Sequence, residues 1–171
     1  MSPRPTGHVR TTATGTDLLL KRTFRAPIDD VWRSITDPES TARWFGPWEG
    51  DAATGKTVRV QLSFEQNAPW CNVTIVDCAA PHRLELSMKD EHGDWHLELT
   101  LAAHGDTTEL KFVQRLSEAK LAGDVGPGWE YYLDMLVATR EGRERPQFDD
   151  YYPAQKAYYL SEAQSAESGR S

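Results

Sequence analysis

A chain of 171 residues suits one domain of ordinary size and argues against two full ones. Nineteen basic against 26 acidic residues give a net charge of −7, which opposes non-specific binding to nucleic acid, and no Lys/Arg run offsets it. A mean hydropathy of −0.62, with no apolar stretch of about 18 residues, excludes a membrane-spanning helix.

Residues 1–15, rich in Thr, Pro, Gly and Arg, read as a disordered leader without an apolar signal region, so the cytoplasm is the expected compartment. Asp17–Arg25 reads as a strand. Pro27 suits the first turn of a helix, and Asp29 and Asp30 favour its positive end. Ile28, Val31, Trp32 and Ile35 follow helical spacing. Asp37-Pro38 ends that helix and opens a second short one containing Ala42, Trp44 and Phe45, stopped by Gly46-Pro47.

From there the period is two. Val58, Val60, Leu62 and Phe64 share one face of a strand. Further strands follow at Val73–Ile75, Leu84–Met88, Trp95–Leu101 and Leu110–Leu116. The turn signals between them are short (Asn67-Ala-Pro69, Ala80-Pro81, Glu91-His-Gly93, His104-Gly-Asp106), which predicts antiparallel neighbours. Each strand has one apolar face, so the sheet should pack on one side only. Cys71 and Cys78 stand seven residues apart in one extended run, far beyond disulfide reach, and read as free thiols.

Helical spacing then returns: Trp129, Tyr132, Leu133, Leu136 and Val137 share a face, with Pro127 near the start and Gly142 past the end. This long helix should lie across the apolar sheet face, since no other element is large enough to cover it. Phe148–Leu160 is too aromatic for a linker and should dock, with a short helix opening at Pro153; residues from 161 onward should fray.

Residues 17–144 resemble the START/Bet-v-1-like (SRPBCC) superfamily, and within it bacterial homologues of the heat-shock-protein-90 ATPase activator. The likeness is carried by Arg25-Ala-Pro27, Val31-Trp32, Thr36-Asp-Pro38, Arg43-Trp44-Phe45, Pro81-His-Arg-Leu84, Thr107-Thr-Glu-Leu110 and Gly128-Trp129. It implies an α+β helix-grip fold: a curved antiparallel sheet of six to seven strands around a long C-terminal helix, with two short helices after the first strand. The expected division is a leader over 1–15, a helix-grip domain over 16–145 and an aromatic extension over 146–171.

The resemblance also implies a cavity between sheet and helix that holds an apolar small molecule. On the helix side its wall would include Trp129, Tyr132, Leu133 and Leu136. On the sheet side it would include Phe64, Leu86, Leu99, Phe112 and Gln114, with Trp48 near the mouth. Gln114 stands on inward parity among leucines and phenylalanine; it either orients a ligand or is a satisfied core group. Arg22 and Asn72 raise the same question more weakly.

No HxH or HExxH spacing, GxSxG, Walker or dinucleotide-binding pattern occurs, and no metal or cofactor is expected. The expected role is therefore binding or sequestration of a hydrophobic small molecule such as a polyketide-type natural product, including self-resistance to an antibiotic. A radical-forming product would attack a pocket glycine such as Gly46 or Gly128. Two alternatives stay open: a polyketide cyclase or aromatase using Arg, Tyr and Gln as proton carriers, and a co-chaperone-like ATPase modulator with a protein partner. A 15-residue leader does not replace the separate chaperone-gripping domain of the eukaryotic co-chaperone.

Overall fold

The computed structural model describes residues 3–90 and 93–169. Its strands are β1 (His8–Thr12), β2 (Gly15–Phe24), β3 (Trp48–Glu49), β4 (Thr57–Gln61), β5 (Trp70–Ala79), β6 (Arg83–Asp90), β7 (Gly93–His104) and β8 (Thr107–Leu116). The helices are α1 (Ile28–Thr36), α2 (Pro38–Thr41), α3 (Ala122–Glu141) and α4 (Lys156–Ser168). The strands order as β1-β2-β8-β7-β6-β5-β4-β3 in one sheet. This is the expected α+β design of antiparallel sheet and long C-terminal helix, with eight strands where six to seven are read from the sequence.

Two compact units divide the chain. The first comprises residues 1–21 and 113–171, the second residues 22–112.

In the second unit, α1 opens at Ile28, with Pro27 as its extended N-cap rather than in its first turn and with Asp29 and Asp30 at its positive end, and it ends where the Asp37 N–H donates to the Arg33 carbonyl. The Asp37 carboxylate then accepts from the Ser40 N–H at 3.0 Å and caps α2, whose first residue is Pro38. The second helix is shorter than expected: it stops at Thr41, and Trp44 and Phe45 lie beyond it. Gly46 is required by a close approach, because a Cβ there would sit 1.6 Å from the Gln61 carbonyl oxygen. Antiparallel pairing runs through β3–β7, with Leu86 opposite Leu97 and Leu84 opposite Leu99. β4 ends at Gln61, so Leu62 and Phe64 leave the strand that alternation assigns them to. Val31, Phe24, Phe112 and Leu110 form its most enclosed core members.

In the first unit, β1 pairs with β2 from Thr12↔Gly15 to His8↔Leu19. The leader expected to be disordered is therefore partly strand. Val9 is buried, Thr11 Oγ1 donates to the Ala166 carbonyl at 2.8 Å, and the ring of His8 lies 2.8 Å from Glu162. α3 begins five residues before Pro127 and runs 20 residues. Gly123 and Gly126, which make this stretch read as a loop, let α4 approach closely. A Cβ at Gly126 would meet the Tyr159 ring at 2.6 Å, and one at Gly123 would meet Leu160 at 2.8 Å. α3 stops at Gly142, which takes the left-handed φ of +66° that a C-terminal cap favours. Helix α4 continues to Ser168, where the sequence suggests fraying. His92 and the turn beginning at Glu91 lie outside the described residues.

Candidate functional site

β8 alternates strictly: Thr108, Leu110, Phe112, Gln114 and Leu116 are buried. Strand pleat thus carries Gln114 inward between hydrocarbon neighbours, where it is 4% exposed. α3 supplies its partner. The Trp129 indole N–H donates to Gln114 Oε1 at 2.6 Å, both groups being buried. The Trp129 ring lies 5.7 Å from that of Tyr132, which lies 5.3 Å from Tyr131; Tyr131 in turn meets Tyr151 edge-on at 5.8 Å. An aromatic row therefore runs from the Gln114–Trp129 pair toward the C-terminal segment. Leu133 and Leu136, further along α3, are each 1% exposed.

The remaining candidates fall in the second unit. Leu86 and Leu99 lie diagonally on β6 and β7, the latter buried and the former half-buried. Phe112 is enclosed, whereas Phe64 is half-buried past the end of β4. Trp48 is half-buried, and its indole N–H donates to the Thr36 carbonyl at 2.8 Å, answering an orphan carbonyl at the end of α1. Trp44 does the same for Ser34 at 2.8 Å. Both tryptophans are thus bound through their polar ends to one short helix. Asn72 faces outward and Arg22 is half-buried.

A carboxylate that sequence periodicity leaves off the apolar face, Glu130, is 1% exposed. It accepts from the Thr6 N–H, from Thr6 Oγ1 at 2.7 Å and from the Tyr159 hydroxyl at 2.7 Å, while that hydroxyl accepts from the Gly7 N–H at 3.1 Å. Burial, reinforced by the adjacent Glu130 charge, pushes the Tyr159 phenol well above its ordinary value. On the sheet of the second unit, Arg83 pairs with Asp77, with Glu85 at 2.8 Å and with Glu98 at 3.2 Å, and His96 Nε2 lies 2.7 Å from Glu85. Hydrogen bonds to Asp77 first, then Glu98 and Glu85, hold the guanidinium firmly protonated. Cys71 and Cys78 are free, and burial raises the Cys78 thiol. No cluster of three or more His, Cys, Asp or Glu side chains that could hold a metal lies among the described residues. Nor is any described helix long and apolar enough to cross a membrane.

Antiparallel sheet, paired short helices and long C-terminal helix define a helix-grip protein. The chain belongs to the family described as Activator of Hsp90 ATPase homolog 1-like protein, which matches residues 25–141. No functionally curated protein matches it. Among solved structures, CalU16 from Micromonospora echinospora is 26% identical in its crystal form, with 96% of each chain covered and a TM-score of 0.69. Its solution structure aligns at a TM-score of 0.74 with 24% identity, covering 95% of this chain and 96% of that one. DynU16, a protein of the dynemicin biosynthetic locus, is 19% identical with a TM-score of 0.66. That alignment covers 80% of this chain and 50% of DynU16, a likeness of fold.

Proposed function

We propose that this protein binds and sequesters a hydrophobic small molecule of polyketide type, without turning it over, in the cavity that a helix-grip fold encloses. The observation that carries this reading is the Gln114–Trp129 pair, one oriented polar group held between β8, which also carries buried Leu116, and α3, which also carries buried Leu133 and Leu136. An apolar wall with a few fixed polar groups is what a small-molecule site requires: burial supplies affinity at about 25 cal/mol per Å², and the polar group supplies orientation. The family match and the placement of DynU16, a protein of similar fold, in the dynemicin biosynthetic locus fit a ligand-binding role. The histidines that an acid–base mechanism would draw on include His8 and His96, and these are engaged with Glu162 and Glu85. A self-resistance role is the physiological form this binding would take in a producing organism.

The test is direct titration with an uncharged apolar fluorophore, N-phenyl-1-naphthylamine, followed by native mass spectrometry for one-to-one stoichiometry. Saturable binding that weakens at least about tenfold in Trp129→Ala, or about 1.4 kcal/mol, is expected. Linear, non-saturating fluorescence in the folded wild-type protein would refute the reading.

A further inference from the structure

Gln114 carries one acceptor and one two-proton donor at the end of its side chain. An indole N–H can only donate. The atom 2.6 Å from Trp129 Nε1 must therefore be the amide oxygen, and the pair fixes which way the amide is turned. Its nitrogen, with two N–H donors, points elsewhere, and among the described residues it donates to nothing. Nor is that nitrogen sealed in: the fully enclosed side-chain polar atom without a partner, among the described residues, is Gln155 Oε1. The Gln114 nitrogen thus borders space that a water-sized group can reach, although the residue as a whole is 4% exposed.

A ligand that displaces water from this donor must either accept from it or leave it unpaired, so a bound molecule that accepts gains over one that does not. We infer that Gln114, held in one orientation by Trp129, acts as a hydrogen-bond donor toward the ligand and selects apolar molecules carrying a neutral acceptor such as a ketone or quinone carbonyl. Trp129 is the positioning residue and Gln114 the contacting one. The inference rests on the binding reading above and narrows its ligand class. A ligand presenting only an N–H at this point would set donor against donor, and a hydrocarbon would leave the amide unmet. Specificity of this kind comes from the group left unpaired by the wrong ligand.

Three nearly isosteric tricyclic probes separate the possibilities: fluorenone, which only accepts; carbazole, whose N–H only donates; and fluorene, which does neither. Their dissociation constants are measured by equilibrium dialysis against wild type, Gln114→Met and Trp129→Phe, each first shown to be folded by its melting curve. The fluorenone-to-carbazole preference should fall about three- to tenfold from wild type to Gln114→Met. It should also fall in Trp129→Phe, where the amide is free to turn its oxygen outward. Comparing ratios cancels differences in water solubility and any general loss of affinity. The Gln114 side-chain amide resonance should move with fluorenone and stay with fluorene. Equal ratios in wild type and Gln114→Met, with fluorene still bound, would overturn the inference and leave the binding reading intact. Failure of all three probes to bind folded wild type would overturn both.

Discussion

Glu130 offers the sharpest test of what holds the first unit together. Replacement by leucine preserves the side chain's approximate volume and removes a carboxylate that receives three hydrogen bonds. The Tyr159 hydroxyl, fully enclosed, loses the acceptor for its proton, and the Thr6 N–H and O–H, partly buried, lose theirs. The enclosed Tyr159 donor, once stranded, costs about 1–3 kcal/mol, and the two Thr6 donors, on a residue that water reaches, cost less each. Part of this is offset because a charge no longer has to be kept out of water. The net destabilisation should be about 2–4 kcal/mol. At about 2–4 °C per kcal/mol for a chain of this size, the melting temperature should fall by about 5–15 °C. Amide exchange should locate the damage: Gly7, whose N–H is held by Tyr159, should lose protection together with the amides of α4. Glu130→Gln keeps one acceptor and should fall between wild type and leucine. A shift below about 2 °C, or unchanged protection at Gly7, would refute the argument that this carboxylate ties the two chain segments to α3.

Three further outcomes are expected. Gly46→Ala should cost more than about 3 kcal/mol in denaturant unfolding, since its Cβ would lie 1.6 Å from the Gln61 oxygen, whereas Gly128→Ala, with open space at its Cβ, should be stabilising by up to about 1 kcal/mol. Tyr159 should make the protein sensitive to alkali. Its phenol is raised in the fold, first by burial and then by the Glu130 charge, so its contribution is complete below the unfolded value near pH 10 and is lost as pH rises further. The loss should approach about 1.4 kcal/mol per pH unit, and Tyr159→Phe should flatten that limb of the stability–pH curve; an unchanged slope would remove Tyr159 as its source. Arg83→Ala should change stability by less than about 1 kcal/mol despite its three carboxylate partners, because Arg83, Asp77 and Glu98 are each about a third or more solvent-exposed and Glu85 alone is more enclosed; a large loss persisting in 1 M salt would contradict this.

Hydrophobic alternation made β5, β6, β7 and β8 legible, because each carries its own period and short turns separate them. It also put Gln114 on the buried face, since pleat parity is a local property. β1 escaped detection because His-Val-Arg-Thr-Thr has a single strongly apolar residue, and its order depends on β2 and on Ala166, about 155 residues away. The first turns of α3 were hidden by Gly123, Gly126 and Pro127, residues that weaken a helix by themselves and are needed here for the approach of α4. Glu130 was unreadable for a related reason: a buried carboxylate is tolerated because of Thr6 and Tyr159, whose proximity no local pattern announces. Alternation and turn position place Trp48 near a loop but do not reveal that its indole N–H answers a carbonyl of α1.

The bonds of Glu130 also impose an order on synthesis. Thr6 precedes it by 124 residues and Tyr159 follows it by 29. At about 5–20 residues per second, the ribosome needs about 8–30 s to travel from the first of these partners to the last. The hairpins of the second unit can close within that interval, since their strands emerge in succession and short loops cost little entropy. The opening segment cannot finish: until Tyr159 emerges, the Gly7 N–H has no phenol to meet and Glu130 lacks one of its donors. Helix α4 is therefore the keystone laid last, and a chain terminated within it would carry a formed set of hairpins beside an unfinished first unit.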